Sequence, residues 1–181
     1  AGSVMARCYS GDVPQMKPLP QIWLISDARN DAVLERALRR LPRGSGFVFR
    51  HYHLPEAQRR ARFAVLARIA RGRGITVILS GPAALARRWG AAGSYGSHRD
   101  AMLATAHSLR ELRRAQRAQA VLLSPVFPTR SHPGGKVLGP LRFRLLARWA
   151  PAPVIALGGM SQRAADRLSW PSWAGIDAFL R

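Results

Sequence analysis

The chain has one cysteine, Cys8. That excludes an intrachain disulfide framework and a cysteine-built metal centre, and it leads us to expect a cytoplasmic protein. Long apolar runs are missing too. No stretch would cross a bilayer, so no membrane partner is expected. Residues 1–20 are polar, contain proline and lack an apolar segment of leader type, which reads as a flexible N-terminal arm before a single domain over 21–181. Lysine is nearly absent: of the 29 basic residues, all but Lys17 and Lys136 are arginine, against nine acidic residues and a net charge of +20. Such a charge attracts polyanions without selectivity. The sequence nevertheless lacks an aromatic-flanked basic motif and any zinc-finger, RRM or KH signature. Its arginines are scattered over every helical segment, as solvated helix faces would have them. Specific nucleic-acid binding is therefore not expected; a homo-oligomer is left open.

What the chain does contain is alternation. Short apolar runs read as buried strands: Ile22–Ser26, Phe47–Phe49, Ile75–Leu79, a weak one within Gly90–Ser97, Met102–Ala106, Val121–Leu123, Val154–Leu157 and Ile176–Leu180. Between them run segments of helical period. Val33, Leu34, Ala37, Leu38 and Leu41 share one face, with Asn30 or Asp31 as the cap. Pro55 opens a long helix through Ile69. Ser108 and Glu111 form a capping box, and Leu141, Leu145 and Leu146 mark a later helix. Ser161 caps another through Leu168.

Strand–helix repetition implies right-handed crossovers and parallel strands. Eight strands suggest an α/β fold of the (β/α)8 TIM-barrel type, with an open doubly wound sheet as the alternative. The chain is short for a barrel of about 250 residues. A parallel crossover needs roughly a dozen residues, and after the fourth strand only about His98 to Ala101 remain, so the helix there is expected to be missing. A terminal helix after strand eight is expected to be missing as well.

Two loops carry chemistry. After strand six, Ser124 to Lys136 holds Pro125, Pro128 and Pro133 with Thr129, Arg130, Ser131, His132 and Lys136. This is a stiffened loop rich in hydroxyls and cations, suited to an anion. After strand seven, Gly158-Gly159 lets backbone N–H groups approach a phosphate, next to the positive end of the helix opened by Ser161. In a barrel both loops lie at the C-terminal rim, where active sites sit. His107 ends strand five and can act as a general acid or base near neutral pH.

Pro125-Val126-Phe127-Pro128-Thr129, Leu138-Gly139 and Pro153-Val154-Ile155-Ala156-Leu157-Gly158-Gly159-Met160 resemble the thiamin-phosphate synthase family, including its thiazole tautomerase (TenI-type) branch. The resemblance can be threaded from Ile22 onward. It implies a role in thiamin biosynthesis: binding of thiazole phosphate, and its coupling to hydroxymethylpyrimidine diphosphate. The alternatives are a TenI-type tautomerase using His107, since Ala106-His107-Ser108 is similar to that branch's histidine segment, and a non-catalytic binder of a phosphorylated ligand. It further implies phosphate contacts from Thr129, Ser131, His132, Lys136, Gly158 and Gly159, and a catalytic role for Arg50. Serine and histidine replace the family's second threonine and its lysine at Ser131 and His132. Tyr52 and Gly81 stand where the family has a lysine and a metal-binding aspartate. Asp100 alone is left as a metal candidate, so Mg²⁺ is expected only with substrate bound.

Overall fold

The computed structural model describes residues 18–131 and 133–179. The arm expected over 1–20 lies outside the described residues except for Pro18–Pro20, and the expected lack of a terminal helix also falls beyond them. Eight short strands run in chain order: β1 Ile22–Ile25, β2 Gly46–Phe49, β3 Thr76–Ser80, β4 Gly93–Gly96, β5 Leu103–Ala106, β6 Ala120–Leu123, β7 Val154–Ala156 and β8 Trp173–Gly175. Each pairs in parallel with its neighbours, and β8 returns to β1 in the register Ile22↔Trp173, Trp23↔Ala174. The sheet is therefore a closed (β/α)8 barrel, and the open-sheet alternative is excluded.

Outside, among the described residues, lie six helices: α1 Leu34–Arg40, α2 Glu56–Gly72, α3 Ala83–Arg88, α4 Leu109–Leu112, α5 Gly139–Ala147 and α6 Gln162–Leu168. As expected, β4 passes to β5 through a bent loop with no helix. Exposed arginines appear on all six helices, among them Arg36, Arg60, Arg87, Arg110, Arg142 and Arg163. Among the described residues, the exposed arginines are thus spread over every helix of the ring rather than confined to one.

Strand alternation divides the apolar side chains between two places. Trp23, Ile25, Val48, Ile78, Tyr95, Leu103, Leu122, Ile155 and Ala174 fill the barrel interior. Leu24, Phe47, Phe49 and Leu79 face α1 and α2, meeting Leu34, Leu38, Phe63 and Leu66. Val121, Leu123 and Ala156 face Phe143 and Leu168. Gly46 has a packing reason: a Cβ there would fall 2.0 Å from the Trp23 ring. The large indole occupies the space that a side chain on β2 would need.

The structure corrects four local expectations. Strand eight is Trp173–Gly175 rather than Ile176–Leu180. The Trp173 N–H donates to Gln21 O at 2.8 Å, and the chain turns just after Gly175, where Ala178 crowds in. The first helical segment is capped by Asp27, not Asn30 or Asp31, and begins as a 3-10 turn over Ala28–Val33. Asn30 is buried instead, its amide donating to Ile25 O and Ile176 O and so linking β1 to the segment after β8. On α5, Phe143 is the buried anchor, while Leu141 and Leu145 are exposed. The Glu111 carboxylate of the capping box accepts from His107 N at 2.8 Å, one residue ahead of the Ser108 cap.

Candidate functional site

A cavity of about 800 Å³ opens at the C-terminal ends of the strands. It gathers Arg50, His107, Thr129, Ser131, Lys136, Gly158 and Gly159, residues drawn from the ends of β2, β5, β6 and β7. The two loops singled out in the sequence are joined by backbone hydrogen bonds. Val126 N donates to Leu157 O at 2.9 Å and Phe127 N to Gly158 O at 3.0 Å. Gly158 and Gly159 have φ of 91° and 63°. A Cβ on either would lie 2.6 Å from Pro125 Cβ or 2.5 Å from Pro128 O, so the glycines let the two loops touch. His132 lies outside the described residues.

His107 is exposed to the cavity, and its Nδ1 is 2.9 Å from Ser124 O. A carbonyl oxygen only accepts, so Nδ1 carries the proton. In the neutral ring this leaves Nε2 with the lone pair that a base requires. Ser131 is held by its neighbours: Oγ accepts from Arg29 Nη2 at 2.9 Å, and the Ser131 N–H donates to Thr129 Oγ1 at 3.3 Å. Arg29 also reaches Asp27 at 3.0 Å and Asp177 at 3.4 Å. One guanidinium thus ties together the loops after β1, β6 and β8.

Arg50 enters the same cavity from β2, with Nη2 paired to Asp27 at 2.9 Å and Nε buried without a hydrogen-bond partner. Burial raises the pKa of Asp27, but the hydrogen bonds and charge of Arg29, with the charge of Arg50, outweigh it and hold the carboxyl below its ordinary value. Tyr52 and Tyr95 complete this side, the Tyr52 hydroxyl meeting Ser80 Oγ. Burial pushes the Tyr95 phenol up, keeping it protonated.

The residues present do not fit a protein-held Mg²⁺. Asp100 lies outside the cavity, its side chain 72% exposed and 3.9 Å from Arg117. Gly81 presents only its backbone, and Gly81 O accepts from His98 Nε2 at 2.9 Å. Among the described residues the cavity lining holds one carboxylate, Asp177, already paired with Arg29. No group of three potential ligands gathers elsewhere among them.

Sequence reasoning did not find Arg29, Tyr95 or Asp177, while Ser161, read as the cap of α6, lines the cavity. Tyr95 was concealed because β4, flanked by Gly93 and Gly96, shows too little alternation to assign an inward face. Arg29 and Asp177 act across the barrel, and no local pattern marks them.

The family model for thiamine monophosphate synthase matches residues 22–178. No curated protein sequence matches the chain. Among solved structures, the thiamine phosphate pyrophosphorylase from Pyrococcus furiosus superposes with a TM-score of 0.72 at 20% identity, covering 88% of this chain and 86% of that one. The citrate synthase SbnG superposes at 0.56 and 9% identity, over 86% and 85%. At these identities the structural likeness speaks for the fold alone.

Proposed function

Because the chain belongs to the thiamine monophosphate synthase family, with the role in thiamine biosynthesis which that membership carries, we propose that its cavity binds a thiazole phosphate and moves a proton on the thiazole ring without a metal, with His107 as the base. One observation carries this reading. The free Nε2 of His107 and the Gly158-Gly159 backbone border one cavity, with the Nδ1–H of His107 fixed on Ser124 O. The phosphate would sit against the backbone of Gly158 and Gly159, with the Thr129 and Ser131 hydroxyls and the Lys136 ammonium as further donors. His107 Nε2 then takes a proton from one ring position and returns it to another, so that no net proton is consumed.

The second reading, coupling to hydroxymethylpyrimidine diphosphate, draws support from Arg50, whose guanidinium faces the same cavity. Its weakness is the leaving group. Several negative charges need cations or Mg²⁺, and the lining supplies Arg50, Arg130 and Lys136 without a free carboxylate to hold a metal. A third reading is a binder that performs no chemistry.

Proton exchange on thiazole phosphate, followed by NMR in D2O, separates these. The proposal expects exchange in the absence of Mg²⁺, abolished in His107→Gln with phosphate-ester binding retained. Binding without exchange supports the non-catalytic reading. Thiamin phosphate formation that depends on Mg²⁺ supports coupling.

A further inference from the structure

Behind Arg50 runs a buried chain of hydrogen bonds to which none of the roles above assigns a task. Ser26, at the end of β1, and His51, just after β2, are 0% and 1% exposed. Ser26 Oγ lies 2.8 Å from His51 Nδ1, and His51 Nε2 lies 2.8 Å from Asp31 Oδ1. Arg62 Nε donates to the same Asp31 oxygen at 2.8 Å, and its Nη1 donates to Glu35. The Arg50 N–H donates to Ser26 Oγ at 2.8 Å.

These contacts set the direction of every proton. Asp31 is a carboxylate and only accepts, so His51 carries its proton on Nε2. Nδ1 is then a bare acceptor, and the Ser26 hydroxyl donates to it. The Ser26 oxygen is left to accept from Arg50 N–H. His51 also has φ of 39°, uncommon for a residue other than glycine, and its ring stacks on Phe49 at 4.6 Å and 9°. A backbone in that region persists where its surroundings over-determine it. Here the bend falls on the residue directly after Arg50.

We propose that His51 is a positioning residue for Arg50: its neutral Nε2–H tautomer, acting through the Ser26 hydroxyl, sets where Arg50 stands in the cavity, and protonation of His51 releases it. A protonated Nδ1 would turn a second donor on Ser26 Oγ. The hydroxyl would have to rotate and leave its proton without an acceptor in a buried site, and the cost of that orphaned donor would loosen the hold of Ser26 on Arg50.

Four charged or titratable groups bear on His51. Asp31, from the 3-10 turn, favours its charged form. Arg62, on α2, and His53, with ring centroid 5.1 Å away, oppose it. Glu35 is engaged by Arg62 rather than by His51. Burial is the largest influence and pushes His51 below its ordinary value of 6.5. The neutral state thus prevails near pH 7, and release belongs to pH below that ordinary value.

The experiment uses the full chain with ¹⁵N-labelled histidine and arginine, followed by NMR against pH. The proposal expects the Nε2–H tautomer at His51, with the Arg50 amide and Nε signals titrating at the His51 midpoint. Ser26→Ala should move the Arg50 signals and weaken inorganic pyrophosphate binding about tenfold, on the order of one lost hydrogen bond. His51→Asn tolerates positive φ and keeps an acceptor for Ser26. It should return Arg50 to its place and abolish the titration, and it keeps the proposal testable should Ser26→Ala not fold. Arg50 signals that ignore the His51 midpoint, or that still titrate in His51→Asn, would overturn it. The affinity arm rests on the coupling reading of the cavity and the NMR arm does not. Arg50 signals that follow His51 while pyrophosphate fails to bind therefore support the positioning and count against the coupling reading alone.

Discussion

Replacing Gly158 by alanine tests the junction on which the site depends. The residue has φ of 91°, and its new methyl would stand 2.6 Å from Pro125 Cβ, 2.7 Å from Pro125 Cα and 3.2 Å from Val126 N. Two penalties add. A left-handed backbone costs an ordinary residue roughly 1–2 kcal/mol. Forcing a methyl into a packed contact costs roughly 1–3 kcal/mol more. Backbone supplies two of the three contacts, so rotation of a flexible side chain cannot relieve them. Gly134 provides the control: its φ is 73°, yet nothing lies within 4 Å of a Cβ built there. Gly134→Ala carries the backbone penalty alone, and the difference between the variants isolates the close approach of the two loops. With a urea slope of about 1–3 kcal/mol/M, Gly158→Ala should unfold about 1 M earlier than Gly134→Ala. It should also lose affinity for phosphate esters by about tenfold or more, because the 125–128 loop must retreat. Unfolding midpoints that coincide for the two variants would refute the reasoning.

Three further outcomes are expected. Phe143→Ala should cost about 3–5 kcal/mol in denaturant unfolding, whereas Leu141→Gln on the outer face of α5 should stay within about 0.5 kcal/mol. Asp27 and Asp31 both titrate below their ordinary value of 3.8; burial opposes this in each, and hydrogen bonds from arginine outweigh it. Their stabilisation should be complete above that value and vanish as pH falls through the lower folded values. The His51 shift has the same sign and begins earlier, so the unfolding midpoint should start to fall below about pH 6.5; a flat profile from about pH 7 to 3 would contradict both. Asp100→Ala should leave ligand binding and any Mg²⁺ response unchanged in titration calorimetry. Gly81→Asp should create no metal site and should destabilise the chain, because Gly81 has φ of 133°.

Much of this was legible in the sequence because it is local. Apolar runs and the helical period gave seven of the eight strands and the missing helix after β4. Pro125-Val126-Phe127-Pro128-Thr129 and Gly158-Gly159 marked the two loops that meet at the cavity rim, since stiff and bare backbone leaves a direct trace in residue type. His107 was visible as a titratable group at a strand end. The tertiary structure decided what depends on distant partners. Closure rests on Ile22 meeting Trp173, and the Trp-Ala-Gly of β8 is too short and too weakly patterned to announce itself. Which side of α5 is buried follows from the layer beneath Phe143, because the helix is apolar on two faces. Arg29 joins partners 102 and 148 residues away. The His107 tautomer is dictated by a carbonyl just past the end of β6, and that of His51 by a carboxylate from the turn after β1. Asp100 turned outward because the loop after β4 packs through Ser94 and His98. Periodicity reports which face a residue prefers. Proton positions, ion pairs and the lining of a cavity depend on which faces the closed barrel brings together.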